Sequence, residues 1–133
     1  MDSAGIGQRE SVSNQILNLA EVAEHLSAFS AARDWSQFHT PKNLVMALTG
    51  EVGELVELLQ WLTPEESLTI MEEPNRARAV EDEIADILQY LIRLADVLDV
   101  DLPKTLWRKL RENEVRYPAE RSRGNAAKYT EFE

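Results

Sequence analysis

Cysteine is absent from the 133 residues, so neither a disulfide nor thiolate chemistry is open to this chain. That composition fits a reducing, cytoplasmic compartment. Basic residues are scarce: 14 lysines and arginines face 24 aspartates and glutamates, for a formal net charge of −10. A field of that sign repels nucleic-acid polymers and anionic membrane surfaces. An anionic ligand is then held most economically where a bound divalent cation inverts the local charge. No apolar run approaches the ~20 residues of a membrane span. The opening M-D-S-A-G-I-G-Q-R-E lacks the basic start and apolar run of a signal peptide. A soluble protein of the cytoplasm is expected. Period-two alternation, internal repeats and low-complexity tracts are also missing, which argues against sheets and solenoids.

What the chain does have is helical periodicity. Its length suits a single domain, and 44% apolar content can fill one continuous core. Residues 1–10 read as a loose N-terminus, 11–118 as the helical domain and 119–133 as an extended or partner-bound tail. With Ser11 or Ser13 as N-cap, Ile16, Leu19, Ala20, Ala23 and Leu26 mark a first helix to about Ala32. Thr40-Pro41 is a start signal for a second helix to about Leu62. Thr63-Pro64-Glu65-Glu66 reads as a capping box before a short helix through Ile70, which Glu73-Pro74-Asn75 interrupts. The stripe Val80, Ile84, Ile87, Leu88, Leu91, Leu94 predicts a long helix from Arg76 to Leu98. Asp101 and Pro103 open another through about Val115, closed by Pro118. An all-α bundle of four main helices is the expected fold class.

The acids carry the chemistry. Residues three and four apart share a helix face. Glu51 and Glu54 therefore project together, with Trp61 seven residues beyond Glu54. Glu83 and Asp86 repeat the pair, followed by Tyr90. Both pairs border the apolar stripes, so packing of the two helices brings four carboxylates together. Crowded carboxylates either take up protons or gather around cations. Oxygen-only ligation selects a hard ion, Mg²⁺ or Mn²⁺, which retains positions for water and phosphate. A single E-x-x-E is weak, because such spacing is common on solvated helix faces. Two pairs on successive helices, each with an aromatic residue, are a stronger signal. Gly50 and Gly53 each cost about 1 kcal/mol relative to alanine inside a helix, which suggests close helix approach or room for a ligand.

E-V-G-E at 51–54 followed by E-I-A-D at 83–86 resembles the signature of the MazG-like all-α nucleoside triphosphate pyrophosphohydrolases. R-D-W-S-Q-F-H-T-P-K-N-L from Arg33, G-E-V-G-E-L-V-E-L-L-Q-W from Gly50, V-D-L-P from Val100, R-Y-P from Arg116 and K-Y-T-E from Lys128 are similar to its dCTP pyrophosphatase branch. The likeness covers roughly residues 15 to 131. It implies Mg²⁺ bound by Glu51, Glu54, Glu83 and Asp86, and cleavage of a nucleoside triphosphate between its α and β phosphates. It also implies a base pocket lined by Trp35, Trp61 and Tyr90, with Lys109 and Asn113 reaching substrate, and assembly into dimers or a homotetramer built as a dimer of dimers. His39 and Asn43 fall in a well-matched segment. Two positions depart from the branch. Leu26 replaces a histidine that some members place nine residues before the matched tryptophan, and E-N-E-V replaces a basic run before R-Y-P.

The chemistry of these residue types agrees with that implication. A bound cation neutralises phosphate charge and acidifies water, aromatic faces stack on a base, and an asparagine amide pairs with its edge. Glu57, the next step round the helix, either orients the attacking water or completes the metal shell, or is a solvated or interface glutamate. Other readings remain open at this stage: hydrolysis of another nucleotide such as a purine triphosphate, a di-iron bundle, or a non-catalytic helical interaction module. The di-iron reading normally needs E-x-x-H pairs, which His25 and His39 do not supply.

Overall fold

The computed structural model describes residues 17–131, and among them the chain is all helix and turn. The order is α1 (Leu19–Ala32), a 3₁₀ turn (Ser36–Phe38), α2 (Pro41–Leu59), α3 (Pro64–Ser67), a 3₁₀ turn (Ile70–Glu72), α4 (Pro74–Val97), α5 (Leu102–Arg116), α6 (Ala119–Ser122) and a last 3₁₀ turn (Tyr129–Glu131). The expected all-α class is what is found.

Side chains at the helix starts accept the backbone N–H groups that an α-helix leaves unpaired, typically worth about 1 kcal/mol per cap. Thr40 Oγ1 accepts from Asn43 N (3.2 Å) and Asp101 Oδ1 from Lys104 N (3.0 Å). Thr63 and Glu66 form the capping box, with bonds of 3.1 and 2.9 Å. Three boundaries differ from the sequence reading. α1 starts at Leu19, where Asn18 Oδ1 accepts from Ala20 N and Glu21 N; Ser11, Ser13 and Ile16 lie outside the described residues. Glu73-Pro74 begins α4 instead of only interrupting a helix, because Pro74 occupies the first turn and Glu73 caps Asn75 N and Arg76 N. α2 stops at Leu59, since Thr63 must be extended ahead of Pro64 and the chain turns over Gln60–Leu62 to reach it.

α4 is the hub. It packs along α2, and against α1 and the Ile70–Glu72 turn. Leu44 of α2 and Ile92 of α4 are fully buried at 1% and 2% exposure, joined by Val80 and Ala95. The expected continuous core is thus small in the isolated chain. α5 meets no other element to a comparable extent, and Leu106, Trp107 and Leu110 on it stay exposed. The tail, read as extended or partner-bound, carries α6 and a turn, where Tyr129 meets Tyr117 edge-on with centroids 5.8 Å apart. No helix among the described residues is long and apolar enough to cross a membrane.

Candidate active site

Two reversals place the site. After α1 the chain closes with Trp35 N–H donating to Ser30 O (2.9 Å) and Asp34 N–H to Ala31 O (3.1 Å), with Asp34 in the left-handed region at φ 53°. This is a Schellman arrangement with aspartate where glycine is usual. It turns Trp35 back against Phe29, ring centroids 5.7 Å apart in an edge contact. Asn43 closes the following segment by donating from Nδ2 to Phe38 O at 3.0 Å, which gives this residue a structural task.

The packing of α2 on α4 brings Glu51, Glu83 and Asp86 together, one carboxylate oxygen of each lying within 4.8 Å of the others. Glu54 adjoins Glu51 and Glu83 by hydrogen bonding and by charge. The Glu51 carboxyl is pushed up to about 7, first by burial, then by its hydrogen bond with Glu54 and the charges of Glu54, Asp86 and Glu83. Glu83 is raised as well, again chiefly by burial and then by the Glu54 charge. Its Oε2 is buried and has no hydrogen-bond partner among the described residues. A cation placed among these carboxylates would offset their mutual repulsion and give the unpaired oxygen a partner. Glu51, Glu83 and Asp86, with Glu54 beside them, are a donor set that fits a hard divalent ion. Glu57 lies outside this cluster, and so does every histidine among the described residues.

Glu51 and Asp86 also line a cleft of about 260 Å³, walled by Leu26, Phe29, Trp35 and Tyr90. Trp35 and Tyr90 are therefore brought to the acids as expected. Trp61 is not: it sits beyond the end of α2 and is 86% exposed. The projection of seven residues from Glu54 fails because the helix ends before Trp61. Lys109 and Asn113 belong to α5 and do not line the cleft. Lys109 Nζ instead lies 3.7 Å from Glu112, and Asn113 O accepts from Tyr117 N. Gly50 and Gly53 face open space where a side chain would stand, so among the described residues no helix approaches them closely. Gln89, Arg93 and His39 line the cleft too. Gln89 and Arg93 went unmarked in the sequence, although Asp86, Tyr90 and Arg93 fall at i, i+4 and i+7 on one face.

Residues 47–132 match the MazG-like family. The chain belongs to that family. It is 44% identical to dCTP pyrophosphatase 1 of Homo sapiens over 114 residues, which cover 86% of this chain and 67% of the relative. It is 39% identical to dCTP pyrophosphatase 1 of Mus musculus across 99% of this chain and 85% of that one. The crystal structure of a pyrophosphatase from Archaeoglobus fulgidus superposes with a TM-score of 0.71 at 37% identity, covering 78% of this chain and 95% of its own. For a MazG-like protein a divalent metal cofactor is implied, and the cluster of carboxylates is where this chain can hold one.

Proposed function

We propose that the chain is a Mg²⁺-dependent nucleoside triphosphate pyrophosphohydrolase, taking dCTP or a modified dCTP to the monophosphate and pyrophosphate in sanitation of the nucleotide pool. One observation carries the reading: Glu51, Glu83 and Asp86 converge at a cleft whose walls are Trp35 and Tyr90. Glu51, Glu54, Glu83 and Asp86 are the residues assigned to the metal. When bound, Mg²⁺ (or Mn²⁺) supplies charge neutralisation on the phosphates and an acidified water. The aromatic rings hold the base by stacking, fixing the phosphate chain over the acids. The relatives named for dCTP support the choice of substrate.

The same proposal takes the active form as a homotetramer, a dimer of dimers, with the dimer as its simpler version. Its support is the uncovered apolar surface: Val52 and Val56 on α2, and Leu106, Trp107 and Leu110 on α5. Trp61, Lys109 and Asn113 do not reach the cleft of their own chain, and we assign them to substrate contacts made from a neighbouring copy. The location that goes with this reading is the cytoplasm, which the cysteine-free composition fits.

The test is direct. Each of the four dNTPs is incubated with the protein and Mg²⁺, and monophosphate and pyrophosphate are quantified. Equimolar dCMP and pyrophosphate from dCTP are expected. Preferred turnover of a purine triphosphate would move the substrate assignment, and turnover of none would leave a helical interaction module.

A further inference from the structure

The cleft holds a cation as well as acids. Arg93 of α4 is only 8% exposed, yet it lines the cavity. Its Nε donates to His39 Nδ1 at 3.2 Å, and its Nη1 to Asp96 Oδ2 at 3.0 Å. Arginine carries five N–H donors and no acceptor. These two bonds leave three donors without a protein acceptor among the described residues. None of its nitrogens is a buried atom without a partner, so these donors open onto the cleft, where a ligand can accept from them.

The anchors fix the orientation of the group. His39 accepts at Nδ1, so its neutral ring carries hydrogen on Nε2; burial and the Arg93 charge both favour that uncharged form. His39 and Asp96 hold the guanidinium from two sides, which leaves its fork little rotational freedom. Arg93 is seven residues beyond Asp86 on the same helix, about 10.5 Å at 1.5 Å per residue. That span suits a deoxyribose and a base laid along α4, with phosphates at the acids and the base edge at Arg93. Trp35 and Tyr90 line the same cleft, as does Gln89, one turn before Arg93 on α4.

We propose that Arg93 is the specificity-determining residue of this site, reading two adjacent hydrogen-bond acceptors on the edge of the stacked base. Cytosine offers such a pair in O2 and N3, and its exocyclic amine can donate to the Gln89 carbonyl oxygen. Thymine and uracil present N3–H to the fork, donor against donor. Adenine sets its amino donor beside N1 and N7, whereas guanine offers an adjacent acceptor pair in O6 and N7, so the fork discriminates against thymine and adenine and not by itself against guanine. The assignment rests on the nucleotide hydrolase reading above and adds the group that chooses among bases.

The experiment compares kcat/KM for dCTP, dTTP, dGTP and dATP in the wild type, Arg93→Met and Arg93→Lys. A bidentate pair typically discriminates by about 5- to 150-fold. The wild type is expected to prefer dCTP over dTTP and dATP within that range. Both variants are expected to lose most of that preference, chiefly through a raised KM for dCTP, while kcat/KM for dTTP falls less. Arg93→Lys keeps the buried charge without the planar fork, so it remains informative if Arg93→Met fails to fold. Binding of dCMP and dTMP in EDTA, followed by calorimetry, is expected to show the same loss without metal or hydrolysis. Retention of the preference by Arg93→Lys, or an equal fall for all four nucleotides, overturns the assignment. A wild type that hydrolyses all four dNTPs equally overturns it too and leaves the hydrolase standing; one that hydrolyses none removes both.

Discussion

Glu51 on α2 and Glu83 on α4 offer carboxylate oxygens within 4.8 Å of each other, and both carboxyls are pushed above the ordinary carboxylate range. Two helices that pack through an apolar seam therefore also press two acids together. The site stores repulsion that a cation removes.

Replacing one of these acids is expected to separate activity from stability. Glu51→Gln and Asp86→Asn should each lower Mg²⁺-dependent pyrophosphate release at least about 100-fold. Because a repelling charge is lost, metal-free Glu51→Gln should melt at or above the wild-type temperature at neutral pH. Calorimetry in EDTA checks this; a large drop in melting temperature would mark Glu51 as structural.

The pH dependence of the metal-free protein follows in sign. Glu51 titrates near 4.5 when unfolded and at about 7 when folded. Between these values the folded state binds more protons, so stability should fall as pH rises through the window. Glu73 and Glu112 are lowered, Glu73 by backbone N–H bonds and Glu112 by Arg108. Their contribution is lost only as pH falls below the ordinary carboxylate range. Melts in EDTA from pH about 5 to about 8 should show a declining midpoint that is flatter in Glu51→Gln.

Mg²⁺ competes with those protons. Its stabilising effect should grow across the same window, and binding near pH 6 should release protons, measurable as a buffer-dependent heat. Chelation should abolish activity, and either Mg²⁺ or Mn²⁺ should restore it.

Asp99 repeats the reversal made by Asp34. It lies at φ 54°, with Val100 N–H donating to Ala95 O at 2.8 Å. Asp99→Gly removes the side-chain strain of the left-handed region and should stabilise the protein by about 1 kcal/mol in denaturant titration.

The exposed apolar stripe of α5 should be covered in solution. Light scattering at micromolar concentration is expected to give a tetramer or dimer mass. Trp107→Asp should lower that mass and the melting temperature together. A monomeric wild type would contradict the assembly.

Periodicity and capping chemistry determine much of this protein by themselves. The 3.6-residue stripes, Thr40-Pro41, the Thr63–Glu66 box and Asp101 specify helices and their starts locally, through bonds within a few residues. The two acid pairs are legible for the same reason, as residues three apart share a face wherever a helix forms. Helix ends were harder to read. Asp34 and Asp99 occupy left-handed positions that glycine usually signals, and α2 stops short of Trp61 because of a proline three residues further on. The place of both pairs beside the apolar stripes already leads to the expectation that they converge; only the tertiary structure decided that Trp35 folds back to their cleft while Trp61 does not, and that Arg93 is buried there against His39, 54 positions away in sequence. These relationships depend on how α1, α2 and α4 pack, and packing is set by side-chain fit between distant segments that no local spacing encodes.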